Sequence, residues 1–198
     1  MKKLVILLVC LAGFCQSFAQ TRIPDFQGNI RRNSGDDSLI RSSVGSFDLT
    51  IALRSFSYWS GQYKAYDVWV VNNGKWKKMV AVINDSKLAA KHEPIKLKNI
   101  TDITNGDEIL KSFTANRLFE IEDDGVFADC PPRDTLINGK REAIIHRISD
   151  AEEYSLYIIT QKKSRQLYFY APEYFHTYCP AFGNRKAFLA FLKALHPK

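Results

Sequence analysis

Residues 65–83, AYDVWVVNNGKWKKMVAVI, decide the fold class. Two runs rich in β-branched and aromatic residues flank Asn73-Gly74. Asn-Gly is the preferred pair for a two-residue type I′ turn, because both central residues need positive φ. A hairpin in that register pairs Val71 with Trp76, Trp69 with Lys78 and Asp67 with Val80. Side chains alternate along a strand, so these six share one face. Tyr66, Val68, Val70, Lys77, Met79 and Ala81 occupy the other, more apolar face, which is the expected core side. On the first face Trp69 and Trp76 are diagonal neighbours, and Lys78 can lie over Trp69. Tryptophans on that side form a recognition surface, unless a second layer, the leader or a helix, covers them.

Upstream, Phe47, Leu49, Ile51 and Leu53 alternate with Asp48, Thr50, Ala52 and Arg54. That period of two predicts a strand with one buried face. Phe56, Tyr58 and Trp59 follow, before a Ser60-Gly61 turn. Downstream, residues 87–93 read as a short helical turn ended by Pro94. Ile95 and Leu97 alternate with lysines, the pattern of a protected edge strand. Asn105 and Glu108 fit a capping box opening a short helix through Phe113. Leu118, Phe119 and Ile121 suggest another strand.

In the last third, residues 143–148 set Ile144, His146 and Ile148 on one side of a strand. Residues 154–160 and 166–171 bracket Lys162-Lys163-Ser164 as a second hairpin. Asn184 caps a final helix in which Phe188, Phe191, Leu192 and Leu195 recur at helical spacing. The expected fold is α+β: a mostly antiparallel sheet of about seven or eight strands, packed by a C-terminal helix and one short internal helix.

The N-terminus places the protein. MKKLVILLVCLAGFCQSFAQ opens with Lys2 and Lys3, continues with an apolar run over residues 4–13, and ends in Ser17-Phe18-Ala19. The run is shorter than the roughly 20 residues a spanning helix needs. This is the pattern of a secretory signal peptide cut after Ala19, in preference to an uncleaved anchor. Val9 before Cys10 and Phe14 before Cys15 do not suit a lipoprotein site. The mature chain is expected in a periplasm or outside the cell, without a transmembrane segment. Residues 20–45 are polar, with Gly28, Gly35, Gly45, Arg31-Arg32 and Asp36-Asp37. They read as a flexible leader, either a linker or a segment that folds onto a partner. Residues 46–198 form a single α+β domain.

The formal charge of +7 includes Lys2 and Lys3 of the leader peptide. The remaining basic residues are mixed with acidic ones, and Lys77-Lys78 and Lys162-Lys163 suit solvated turns. Nucleic acid binding would need a focused basic face with stacking aromatics, so it is not expected. The acidic run EIEDDGVFADCPPRD, residues 120–134, lacks the oxygen spacing of a calcium loop. No metal and no cofactor is expected.

Of the four cysteines, Cys10 and Cys15 leave with the signal peptide. Cys130 and Cys179 then share an oxidising compartment, where a disulfide is expected. It would contribute about 4 kcal/mol in the loop-entropy model. The competing reading takes FHTYCP, residues 175–180, as a thiol with its base, since His176 stands three residues before Cys179. A hydrolase built from His146 or His176 with Asp124, Asp129 or Asp134 is a further alternative. The four histidines, His92, His146, His176 and His196, make no metal-binding pair, and no nucleophile elbow or phosphate-binding glycine loop occurs. The expected function is therefore an exported soluble binding or protein-interaction domain without catalytic activity. Its recognition residues would be Trp59, Trp69, Trp76 and Lys78, and its partner a protein or small ligand of the cell envelope or the exterior. The alternatives are an exported hydrolase and a structural component of an envelope complex.

Overall fold

A computed structural model describes residues 22–28, 35–57, 63–84, 95–123, 133–144, 148–178 and 183–195. Asn73 and Gly74 take φ of 50° and 73°, the pair of left-handed conformations that a type I′ turn needs. β2 (Tyr63–Asn72) and β3 (Lys75–Asn84) pair around them with Val71 opposite Trp76 and Trp69 opposite Lys78. β1 (Leu49–Phe56), β4 (Ile95–Ile103), β7 (Glu153–Ile159) and β8 (Ser164–Tyr170) complete a six-stranded sheet in the order β4-β3-β2-β1-β7-β8. Every pairing in it is antiparallel. β5 (Arg133–Ile137) and β6 (Lys140–Ile144) form a separate two-stranded sheet. Four helices are described: α1 (Asp36–Val44), α2 (Gly106–Ala115), α3 (Pro172–Tyr178) and α4 (Gly183–Leu195). The fold is α+β, as the sequence pattern predicts. Among the described residues, no helix is long and apolar enough to cross a membrane.

The one-sided sheet expected from period-two alternation is not what forms. Thr50 and Ala52 are as fully buried as Leu49 and Ile51. β1 lies between β2 and β7, and both faces of the sheet there carry a layer. One face packs Leu49, Ile51, Trp69, Val71, Trp76, Leu156 and Phe169 against Leu110 and Phe113 of α2 and Phe188 and Phe191 of α4. The other packs Ala52, Tyr66, Val68, Val70, Met79 and Tyr157 against Phe47 and Ile40 of α1.

The described residues of the leader supply part of both layers. Phe26 joins the first core and meets Phe119, ring centroids 6.2 Å apart. The Lys163 ammonium lies 4.5 Å from the Phe26 ring centroid and donates to the Phe26 carbonyl and the Asp25 carboxylate. That pairing holds the Asp25 carboxyl below its usual range. α1 crosses the opposite face. Arg41 donates to the carbonyls of Thr160 at 2.6 Å and Gln161 at 2.7 Å, tying the helix to the β7–β8 turn. Asp36 is buried and accepts from the Tyr66 hydroxyl at 2.6 Å and Lys64 Nζ at 3.3 Å. Pairing is what makes a buried carboxylate tolerable.

Two smaller expectations change. Leu118, Phe119 and Ile121 form turn and irregular backbone, not a strand, yet all three are buried. Arg165, itself buried, donates to the carbonyls of Phe119 at 2.7 Å and Ile121 at 2.5 Å, doing for that backbone what a strand partner would. Asn105 stands at the N-cap of α2 but makes no side-chain cap bond, so the capping box marks the helix start without forming. β4 is the edge strand its lysines suggest. The register shifts between Lys78 and Val80 of β3, where Asn99 and Ile100 of β4 together stand opposite Met79; Asn99 takes φ 52° and Ile100 is exposed.

α2 seats on β3 through a glycine. A Cβ at Gly106 would lie 1.9 Å from Cγ of Trp76. Gly106→Ala should therefore lose about 1–3 kcal/mol of unfolding free energy in urea, although alanine is ordinarily favoured in a helix by about 1 kcal/mol. Thr50 points the opposite way: its buried Oγ1 has no hydrogen-bond partner. Thr50→Val keeps the β-branched shape and removes the stranded hydroxyl, so the same titration should show a gain of about 1 kcal/mol.

Candidate functional site

The sequence-derived recognition surface is core. Trp69 is 2% exposed and Trp76 3%. The expected contact of Lys78 with Trp69 is present, the ammonium 5.0 Å from the ring centroid. Trp76 Nε1 donates to Asp107 Oδ1 at 3.3 Å, closing the indole under the first turn of α2. The second layer that would cover these tryptophans exists and buries Trp69 and Trp76, while Lys78 stays half-buried beside them. Trp59 lies outside the described residues.

Of the candidate catalytic groups, His146, Cys130, Cys179, Asp124 and Asp129 lie outside the described residues, and the Asp134 side chain does too. His176 is described. It is half-buried on α3, and its Nδ1 is buried without a hydrogen-bond partner. The same helix carries Phe175, whose ring lies 5.0 Å from the Arg185 guanidinium of α4. Near the start of α3, Glu173 shares a tyrosine with Glu152. The Tyr154 hydroxyl is 2.8 Å from Glu152 Oε2 and 3.2 Å from Glu173 Oε1. Ser55 donates to the other Glu152 oxygen. This group of acceptors holds a phenol in its neutral form. Among the described residues no group of three or more histidine, cysteine, aspartate or glutamate side chains could hold a metal ion.

A shallow pocket of ≈ 560 Å³ lies where the leader, the entry to β1 and the β7–β8 turn meet. Arg22, Ile23, Phe47, Asp48, Thr160, Gln161 and Lys162 line it. Its polar floor already holds the turns in place. Asp48 accepts from the Asn73 N–H at 2.7 Å, and Gln161 Nε2 donates to the Phe47 carbonyl at 3.2 Å.

The unsatisfied apolar surface is elsewhere. Leu136 is 74% exposed and Ile137 42%, both next to the β5–β6 turn. Asn138 and Gly139 take φ of 52° and 74°, repeating the type I′ turn of the first hairpin. Leu136 pairs with Arg141 and Ile137 with Lys140 across the strands, and all four side chains are exposed. The sequence reading missed this element, although Asn138-Gly139 carries the same signal as Asn73-Gly74. The short, charged flanking runs lack the apolar alternation that draws attention to the first. Comparison with family models, with curated proteins and with solved structures finds no match to this chain.

Tyr66 and Tyr154 are both held above the ordinary phenol value of 10.0, chiefly by burial and then by the carboxylates beside them. A raised pKa means that the unfolded phenol ionises first. The stabilisation is fully present below pH 10.0 and is lost as pH rises past it. Unfolding free energy should hold steady up to about pH 9 and fall steeply towards pH 11. Tyr66→Phe should flatten that fall while losing stability at neutral pH, because Asp36 forfeits a buried donor.

Proposed function

We propose that the chain is an exported binding or protein-interaction domain, working without catalysis in a periplasm or outside the cell, with the β5–β6 hairpin as its recognition surface. The observation that carries this reading is the exposure of Leu136 and Ile137 on a hairpin outside the six-stranded sheet. The rest of the described chain puts its large apolar side chains into two cores and a small cluster around Phe175, with Ile100 and Tyr178 the other exposed ones. A two-stranded hairpin alone is marginal in water, so a partner that covers its tip stabilises the hairpin as well as the complex. The leader peptide pattern of residues 1–19 supports the exported setting. A structural component of an envelope complex would use the same hairpin with a permanent partner.

The hydrolase alternative has one observation in its favour, the buried and partnerless Nδ1 of His176. Intact mass after alkylation without reductant separates the readings. A chain beginning at Gln20 with no alkyl group supports export and a Cys130–Cys179 bridge. Two alkyl groups would favour Cys179 with His176. For the hairpin itself, a photo-crosslinking residue at Asn138 should give adducts in the native compartment. Leu136→Ser with Ile137→Ser should abolish them and leave the unfolding midpoint unchanged. Adducts that persist in the double variant would overturn the reading.

A further inference from the structure

Granting that the β5–β6 hairpin is a recognition surface, we infer that what it recognises is an anionic lipid bilayer. The tip alternates the two chemistries an interfacial anchor needs. Leu136 and Ile137 stand exposed just behind a tight polar turn. Each has a long basic residue directly across the strand, Arg141 for Leu136 and Lys140 for Ile137. Successive pairs face opposite ways, so Leu136 shares one face with Arg141, and Ile137 shares the other with Lys140 and, one pair further from the turn, with the exposed Glu142. An apolar side chain entering the boundary between headgroups and acyl chains would bring a basic stem alongside it. The stem packs on apolar surface while its charged head reaches phosphate. The Asn138-Gly139 turn enters only the hydrated headgroup layer, where water still satisfies its backbone groups.

Size and charge favour a membrane over the other occupants. A specific protein interface generally buries more than about 1,000 Å² with shape complementarity. Two apolar side chains on a narrow hairpin supply a fraction of that, whereas a bilayer demands no complementary shape. A second copy is disfavoured by charge: without Lys2 and Lys3 the mature chain still carries a formal +5, 26 Lys and Arg against 21 Asp and Glu, and two such molecules repel. The same excess draws the protein towards an anionic surface, where each lysine or arginine adds to binding.

The test is vesicle sedimentation with the mature chain, residues 20–198. Phosphatidylglycerol–phosphatidylcholine vesicles should carry the protein down, and pure phosphatidylcholine vesicles should not. Raising salt from about 0.1 M to about 0.5 M should release it. Lys140→Glu with Arg141→Glu, and separately Leu136→Ser with Ile137→Ser, should each lower the partition coefficient about tenfold or more. Circular dichroism and the unfolding midpoint should match the parent in both. Wild-type protein that ignores anionic vesicles, or variants that bind them as well as the parent does, would overturn the inference. The hairpin's role as a recognition surface would survive that outcome if Asn138 crosslinks remain sensitive to Leu136→Ser with Ile137→Ser, and a dimer seen by sedimentation equilibrium would then name a second copy. Loss of both vesicle binding and crosslinking would end both readings.

Discussion

The indole of Trp76 lies against the backbone of Gly106 with no room for a side chain between them. The rest of the first core follows from that contact. It brings α2 flat onto β3, and Asp107 in the same turn accepts the indole N–H. With α2 seated, Phe113 meets Phe191 of α4 at 4.8 Å between ring centroids. Phe188, one turn earlier on α4, stacks on Phe169 of β8 at 4.0 Å with the rings nearly parallel. A run of contacts thus leads from the first hairpin through two helices to the far edge of the sheet, its links from α2 onward aromatic pairs. Aromatic pairs of this kind add to the area they bury.

The second face is closed by a different chemistry. α1 brings one fully buried isoleucine, Ile40, with Leu39 and Val44 half-buried against the same core, and adds polar ties. Arg41 reaches two carbonyls of the β7–β8 turn, and Asp36 takes the Tyr66 hydroxyl into the core. Such ties are specific in direction but contribute less per contact than apolar burial. They suit a short helix that must stay in one place while covering a face already rich in valine and tyrosine. Since both faces are consumed, open surface on this fold lies at the sheet edges, in the loops and on the detached hairpin.

That division explains why the candidate site moved. Aromatic residues on the less apolar side of β2–β3 look like a binding surface only while the sheet is taken to have one buried face. The residues that cover Trp69 and Trp76 come from 106–121 and 183–195, with Phe26 of the leader completing the same core. No local pattern in residues 65–83 reports on them. The β5–β6 hairpin is the reverse case. Its turn is written in the sequence as Asn138-Gly139, but its detachment from the main sheet is a fact of strand order. Exposure of Leu136 follows from that detachment, and a leucine in a charged strand otherwise reads as a core residue.

What the sequence determined by itself was local: the Asn-Gly turn and register of the first hairpin, the lysine-guarded edge strand, the second hairpin around Lys162-Lys163 and the apolar stripe of the last helix. Turn φ angles and side-chain periods depend on a few neighbouring residues, so a single chain states them openly. Tertiary structure decided which faces were covered. It made the polar leader a structural layer, it turned Leu118–Ile121 from a presumed strand into a buried loop held by Arg165, and it set the tryptophans inside and Leu136 outside. Burial is a relation between segments far apart in the chain. It is settled by how much apolar area those segments remove from water together.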